Sequence, residues 1–199
     1  MTVERDATRS VETKPSGVGG TLASRLVAVV ITALIFGALV YVSRFAPRVF
    51  GLQIIYPAPS VGPAFGIWFG AWGALGTVLG TTISQLPAGL NPLVWIPANL
   101  AQSLYAILPA IFYRKDTVGS VGDWLRFAVV SAVACVLVSL VLVWNLDLNG
   151  TVPFGVGIES VFPVTVIGNL LWMVIVGPLI LNVVSPYVVK AGLKFRNFF

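Results

Sequence analysis

The sequence has no histidine and one cysteine, and its 199 residues include only 12 basic and 7 acidic side chains. Without histidine there is no Ser-His-Asp or Cys-His catalytic set, no HExxH zinc site and no histidine proton relay. Cys135 stands alone in an apolar run, so no intramolecular disulfide forms and the redox compartment stays open. No GxxxxGK[ST] run occurs, so the chain binds no ATP through a P-loop of its own. These absences predict a protein that is not an enzyme and needs neither metal nor cofactor. Charged residues make up 10% of the chain, well under half of the roughly 25% usual in soluble domains. Hydrophobic residues make up 57%, and the mean hydropathy is +0.95. A water-soluble globule of this size could not hide that much apolar surface. The composition predicts an integral membrane protein. In such a chain the net charge of +5 sets orientation and does not signal nucleic-acid binding.

The charges divide the chain. Seven of them fall in the first 25 residues, in a stretch without an apolar face that reads as a disordered cytoplasmic tail over residues 1–22, ahead of a membrane domain over 23–199. It is no signal peptide, because the first apolar run, Leu26 to Ser43, starts late and has span length. No charge then occurs from Val49 to Tyr113, a run of 65 residues. As continuous helix that run would measure roughly 98 Å against a hydrocarbon core of about 30 Å, so it crosses at most three times. Pro/Gly/Asn clusters divide it at 56–59 and 86–92. Between them, 60–85 is either one long tilted helix or two short ones breaking near Gly70 and Gly73. Charge-free runs at 127–146 and 160–189 supply one helix each. The positive-inside rule favours six spans: ten of the twelve Lys/Arg then lie inside and only Arg44 and Arg48 outside. The expected fold is an all-α integral membrane protein, a six-transmembrane-helix bundle with short helices 2 and 3. Its spans fall near 24–45, 58–71, 73–86, 93–114, 121–145 and 158–188, with both termini cytoplasmic at the cell membrane.

Small residues recur at four-residue spacing, at Gly62, Gly66 and Gly70, then Gly76, Gly80 and Ser84, with Ala33 and Gly37 on the first helix. Such stripes let membrane helices approach closely, inside one bundle or against a partner. Uncharged amides are the second signal. Asn99 and Gln102 are three apart, and Asn169 and Trp172 repeat that spacing near the C-terminus. An amide in hydrocarbon is costly without partners, so these should point inward, either to each other or into a polar cavity. Trp124 and Trp144 read as headgroup anchors, and Trp95 fits the same belt or a site. Trp68 and Trp72 form an i, i+4 pair that either stacks on a flat ring or packs towards lipid. Apolar walls with a few fixed amides suit a flat neutral heterocycle. We therefore expect a pocket near the outer leaflet, closed by the Pro57–Pro63 loop and lined by Asn99, Gln102, Asn169 and Trp172. Trp68, Trp95, Tyr56 and Asn145 are further candidates.

The layout resembles the substrate-binding S component of energy-coupling factor transporters, loosely of the riboflavin type. The likeness runs over roughly residues 24–195. It is carried by the Gly-rich junction Ala64-Phe65-Gly66-Ile67-Trp68-Phe69-Gly70-Ala71-Trp72-Gly73-Ala74-Leu75-Gly76, by Pro97-Ala98-Asn99-Leu100 with Ile111-Phe112-Tyr113-Arg114-Lys115, and by Phe162-Pro163-Val164-Thr165-Val166-Ile167-Gly168-Asn169-Leu170-Leu171. One run departs from it, Thr81-Thr82-Ile83-Ser84-Gln85, where riboflavin-type members usually carry a Lys-Asn pair. The resemblance implies six helices and high-affinity binding of a vitamin-like heterocycle from outside. It also implies separate partners, a transmembrane coupling protein and ATPase subunits, with Ala33 and Gly37 facing the coupling protein. The chain is also similar to membrane sensory input modules that precede signalling domains in bacterial receptors, and a structural scaffold is a third reading.

Overall fold

The computed structural model describes residues 21–49, 52–53, 55–88 and 91–195. The expected tail lies outside them except for its last two residues, and these belong to the first helix. Thr21 caps it by accepting from the Ser24 amide at 3.2 Å, and Leu22 begins it.

Helix α1 (Leu22–Ser43) leads into a two-residue antiparallel ladder, β1 (Arg48–Val49) with β2 (Leu52–Gln53). A 3-10 turn over Ala58–Ser60 then enters α2 (Gly62–Phe69), which is followed at once by α3 (Ala71–Gln85). The next apolar stretch is segmented. A 3-10 turn, Pro92–Trp95, runs into α4 (Ile96–Ala101), then α5 (Leu104–Leu108), then a π-helical turn over Pro109–Tyr113. Helix α6 (Val121–Leu148) is continuous and is capped by Ser120. The short α7 (Phe154–Val156) and a second π turn, Gly157–Val161, lead into α8 (Phe162–Lys190).

Four stretches are long and apolar enough to cross a membrane: Leu22–Ser43, Leu93–Tyr113, Val121–Leu148 and Phe154–Lys190. Their outward faces carry leucine, valine and isoleucine, as in Leu34, Val129 and Ile175, all more than half exposed. An apolar exterior suits hydrocarbon and is unusual in water. Helices α2 and α3, of 8 and 15 residues, measure only about 12 and 22 Å.

The Gly-rich junction is two helices and not one. Gly70 has φ 58° and ψ −133°, a conformation closed to residues with a side chain, and the chain reverses there. Gly73 then lies so close to α2 that a β-carbon on it would sit 2.2 Å from the Phe65 carbonyl oxygen. Every residue of α2 is buried, as expected of a helix apolar all round.

The small-residue stripes are spent inside this bundle. Gly62 and Gly66 bring α2 onto Tyr105 and Ala106 of α5, and Gly76 and Gly80 bring α3 onto α1 at Thr32, Ala33 and Gly37. A β-carbon on Gly37 would meet the Gly80 carbonyl oxygen at 2.8 Å. Ala33 and Gly37 thus sit in the α1–α3 seam, which corrects their expected orientation towards a coupling subunit. Close backbone approach requires small residues on both helices, and Gly80 supplies the second side.

One end of the bundle is basic. Lys115 pairs with Asp123, Lys194 with Asp116 at 2.5 Å, and Arg25 lies over the Trp72 ring at 5.6 Å. Arg126 donates to the Phe112 carbonyl at 2.6 Å. The first turns of α1 and the last residues of α8 share this end, where the Phe195 amide donates to the Trp68 carbonyl at 2.8 Å. Asp147, Glu159 and the β1–β2 ladder belong to the opposite end.

Candidate functional site

The amides in the apolar interior fall into separate sets. Asn99, 3% exposed, is engaged by α3: Gln85 Nε2 donates to its Oδ1 at 2.8 Å, and its Nδ2 donates to Gln85 Oε1 at 3.1 Å. A further bond runs from Asn99 Nδ2 to Thr82 Oγ1 at 3.3 Å. This reciprocal pair fixes α4 to α3. It removes Asn99 from the expected lining, because both of its amide groups already have partners.

Gln102 looks elsewhere. The helix is interrupted at Gln102–Ser103, and the Gln102 side-chain Oε1 accepts from the Tyr56 hydroxyl at 3.4 Å, a long bond. Burial raises the Tyr56 pKa above the ordinary phenol value, against the lowering effect of Arg44, so Tyr56 is a neutral donor. On α8, Asn169 Nδ2 donates to the Tyr105 hydroxyl at 2.7 Å, with Tyr105 fully buried. Tyr105 and Tyr56 belong to one apolar cluster with Phe36, Ala101, Cys135 and Met173. Two amide–phenol pairs, Gln102–Tyr56 and Asn169–Tyr105, therefore converge from three separate parts of the chain. Each pair leaves hydrogen-bonding capacity over. Among the described residues, neither the Gln102 Nε2 protons nor the Asn169 Oδ1 has a partner. Tyr105 escaped the sequence reading because one hydroxyl in an apolar run looks like core; its place three residues after Gln102 was the available signal.

Other expected members lie apart. Trp68 is at the basic end, where its Nε1 donates to Ser185 Oγ at 2.8 Å inside the core. Trp72 lies at that same end, under Arg25. Trp172 diverges from Asn169 and lines an open apolar groove of about 590 Å³ on the outside of α8, with Ile167, Gly168 and Leu171. The spacing of three gave Asn169 and Trp172 a common side, but only Asn169 points inward. Residues 57–63 do not form a covering loop; Ala58, Pro59 and Ser60 are buried and run directly into α2. Trp95 is half-buried against the cluster of Val143, Leu146 and Val161. Asn145 is fully buried beside the Val94 carbonyl, to which its Nδ2 donates at 3.4 Å. Among the described residues no three His, Cys, Asp or Glu side chains group to hold a metal.

Fold and site together define a helical bundle whose long apolar helices suit a multi-pass membrane protein and whose interior polar groups, away from the ends, are uncharged. Compared with protein families, curated proteins and solved structures, the chain matches none.

Proposed function

We propose that this chain is the membrane-embedded, high-affinity binding subunit of an uptake system for a vitamin-like micronutrient, working with a transmembrane coupling protein and separate ATP-hydrolysing subunits. The observation that carries this reading is the convergence of Gln102–Tyr56 and Asn169–Tyr105 in one apolar cluster with amide capacity unused. Apolar walls and a few fixed neutral donors and acceptors are what a small heterocycle needs. No charge has to be carried into hydrocarbon to provide them. The resemblance to S components of energy-coupling factor transporters supplies the rest of the reading, including the partners.

In this reading all six segments cross the bilayer, α2 and α3 as a short pair reversing at Gly70. The basic end lies in the cytoplasm and the Asp147 end outside, as the positive-inside rule asks. Cysteines introduced by Ser10→Cys and Asn149→Cys should then be labelled from opposite sides of intact cells. Labelling of both from one side contradicts six spans.

Tyr105→Phe keeps the ring and removes the hydroxyl that Asn169 holds. Loss of one such bond lowers affinity for the retained small molecule by about 5- to 150-fold, from roughly 1–3 kcal/mol. Unchanged affinity with a lower Tm makes the pair a packing element only. Affinity capture of the tagged chain tests the partners: co-purifying ATPase subunits support uptake, and a kinase or cyclase points to a sensory module.

A further inference from the structure

We infer that the side-chain oxygen of Asn145 is a recognition acceptor for an N–H or O–H group of a neutral small molecule. This rests on the binding reading above and adds the hydrogen-bonding class of the ligand. Asn145 is 0% exposed, on the last turns of α6. Its Nδ2 donates to the Val94 carbonyl at 3.4 Å, and the same carbonyl accepts from Asn149 Nδ2 at 3.0 Å. Its Oδ1 is buried and has no donor among the described residues.

The amide cannot escape by turning over, because that would set Oδ1 against the Val94 carbonyl oxygen, acceptor against acceptor. In this it differs from Ser131 and Ser139, the other buried, unpartnered groups on α6. A serine hydroxyl on a helix can rotate onto a carbonyl of its own preceding turn. A buried acceptor without a donor loses its hydration and regains nothing. Leucine would fill a similar volume without that penalty.

The surroundings favour an outside donor. Two irregular turns lie at this end of the bundle: the 3-10 turn Pro92–Trp95, which contains Val94, and the π turn Gly157–Val161. Such π turns are frequent at functional sites. Gly157 packs against Val143, two residues from Asn145, so closely that a β-carbon would come within 2.6 Å of its side chain. The half-buried Trp95 supplies an aromatic wall to the apolar cluster there. The nearest acids along the chain, Asp147 and Glu159, are exposed, and Asp147 already accepts from the Phe154 amide at 2.9 Å. With no buried carboxylate beside it among the described residues, a cationic donor would be uncompensated, and a neutral one fits.

The test compares detergent-purified full-length wild type with Asn145→Leu, and with Asn145→Ala should leucine prevent folding. Native mass spectrometry reads the small molecule carried through purification, and thermal unfolding is measured after that molecule has been washed out. Asn145→Leu should lose at least fivefold of the retained adduct while the washed protein unfolds no earlier than wild type. If alanine has to be used, the adduct loss alone decides. An undiminished adduct overturns the assignment in either variant. A clear fall in Tm for the leucine variant, in which Asn149 can still hold the Val94 carbonyl, also overturns it, because Asn145 is then a structural element of the fold. A wild type that carries no small molecule at all overturns the uptake reading, and this inference with it. Retention in wild type with no change in the variant overturns the Asn145 assignment alone.

Discussion

Gly66→Ala should cost this protein about 3 kcal/mol or more, at the upper end of what overpacking does. The β-carbon would lie 2.0 Å from the Ala106 carbonyl oxygen and 2.5 Å from its carbonyl carbon. Both contacts are with helix backbone, so no side chain can swing away to make room. Helix α2 is buried on every side and packs against α3, α5 and α8, so it cannot shift without opening another contact. Gly122→Ala is the control. It lies in the first turn of α6 with only the Ser120 hydroxyl near, at 3.9 Å. Alanine there should be neutral or stabilising by up to about 1 kcal/mol, because it restricts the unfolded chain more than glycine does. Thermal unfolding and the yield of monodisperse protein read both variants. A Gly66→Ala protein that unfolds at the wild-type temperature contradicts the α2–α5 packing.

The Asn99–Gln85 pair should show strong, sign-revealing coupling. Asn99→Leu leaves the Gln85 amide buried without its partner, and Gln85→Leu leaves Asn99 with only its 3.3 Å bond to Thr82; Asn99 and Gln85 are 3% and 7% exposed. Each single change should cost about 1–3 kcal/mol for the abandoned group. The double variant removes both polar groups together and should be far less destabilised than the sum, with a coupling energy of about 1–3 kcal/mol. Chemical or thermal unfolding of the four proteins measures it. Simple additivity would mean that the two amides do not hold each other. Normal stability with loss of the retained small molecule in Asn99→Leu would return Asn99 to the binding site.

Much of the helix layout was legible because charge is kept out of the middle of long apolar helices and Pro/Gly/Asn clusters mark breaks between them. The charge-free runs and the clusters at 56–59 and 86–92 located the segments that the structure places at α1, α2–α3, α4–α5, α6 and α8. The break between two short helices over 60–85 was legible from Gly70 and Gly73, and the structure places it at Gly70, whose backbone conformation makes it. Inward faces were harder. A helix in lipid is apolar inside and out, so hydrophobic periodicity loses its meaning and only amides and small residues mark a side. Those marks indicate burial without naming the neighbour. Asn99 and Gln102 therefore looked like one lining, yet the interruption after Ala101 sends one to α3 and the other to Tyr56. Trp172 looked like the companion of Asn169, yet it lies in an outward groove. Gln85 sat at the polar end of an apolar helix and looked like its terminus.

The most direct test is to denature the purified wild-type protein and identify what it releases by mass spectrometry. The proposed function predicts one small, neutral heteroaromatic compound in near-stoichiometric amount, absent from material released by the Tyr105→Phe, Asn169→Leu double variant. Release of phospholipid and detergent alone, from wild type and variant equally, would contradict it.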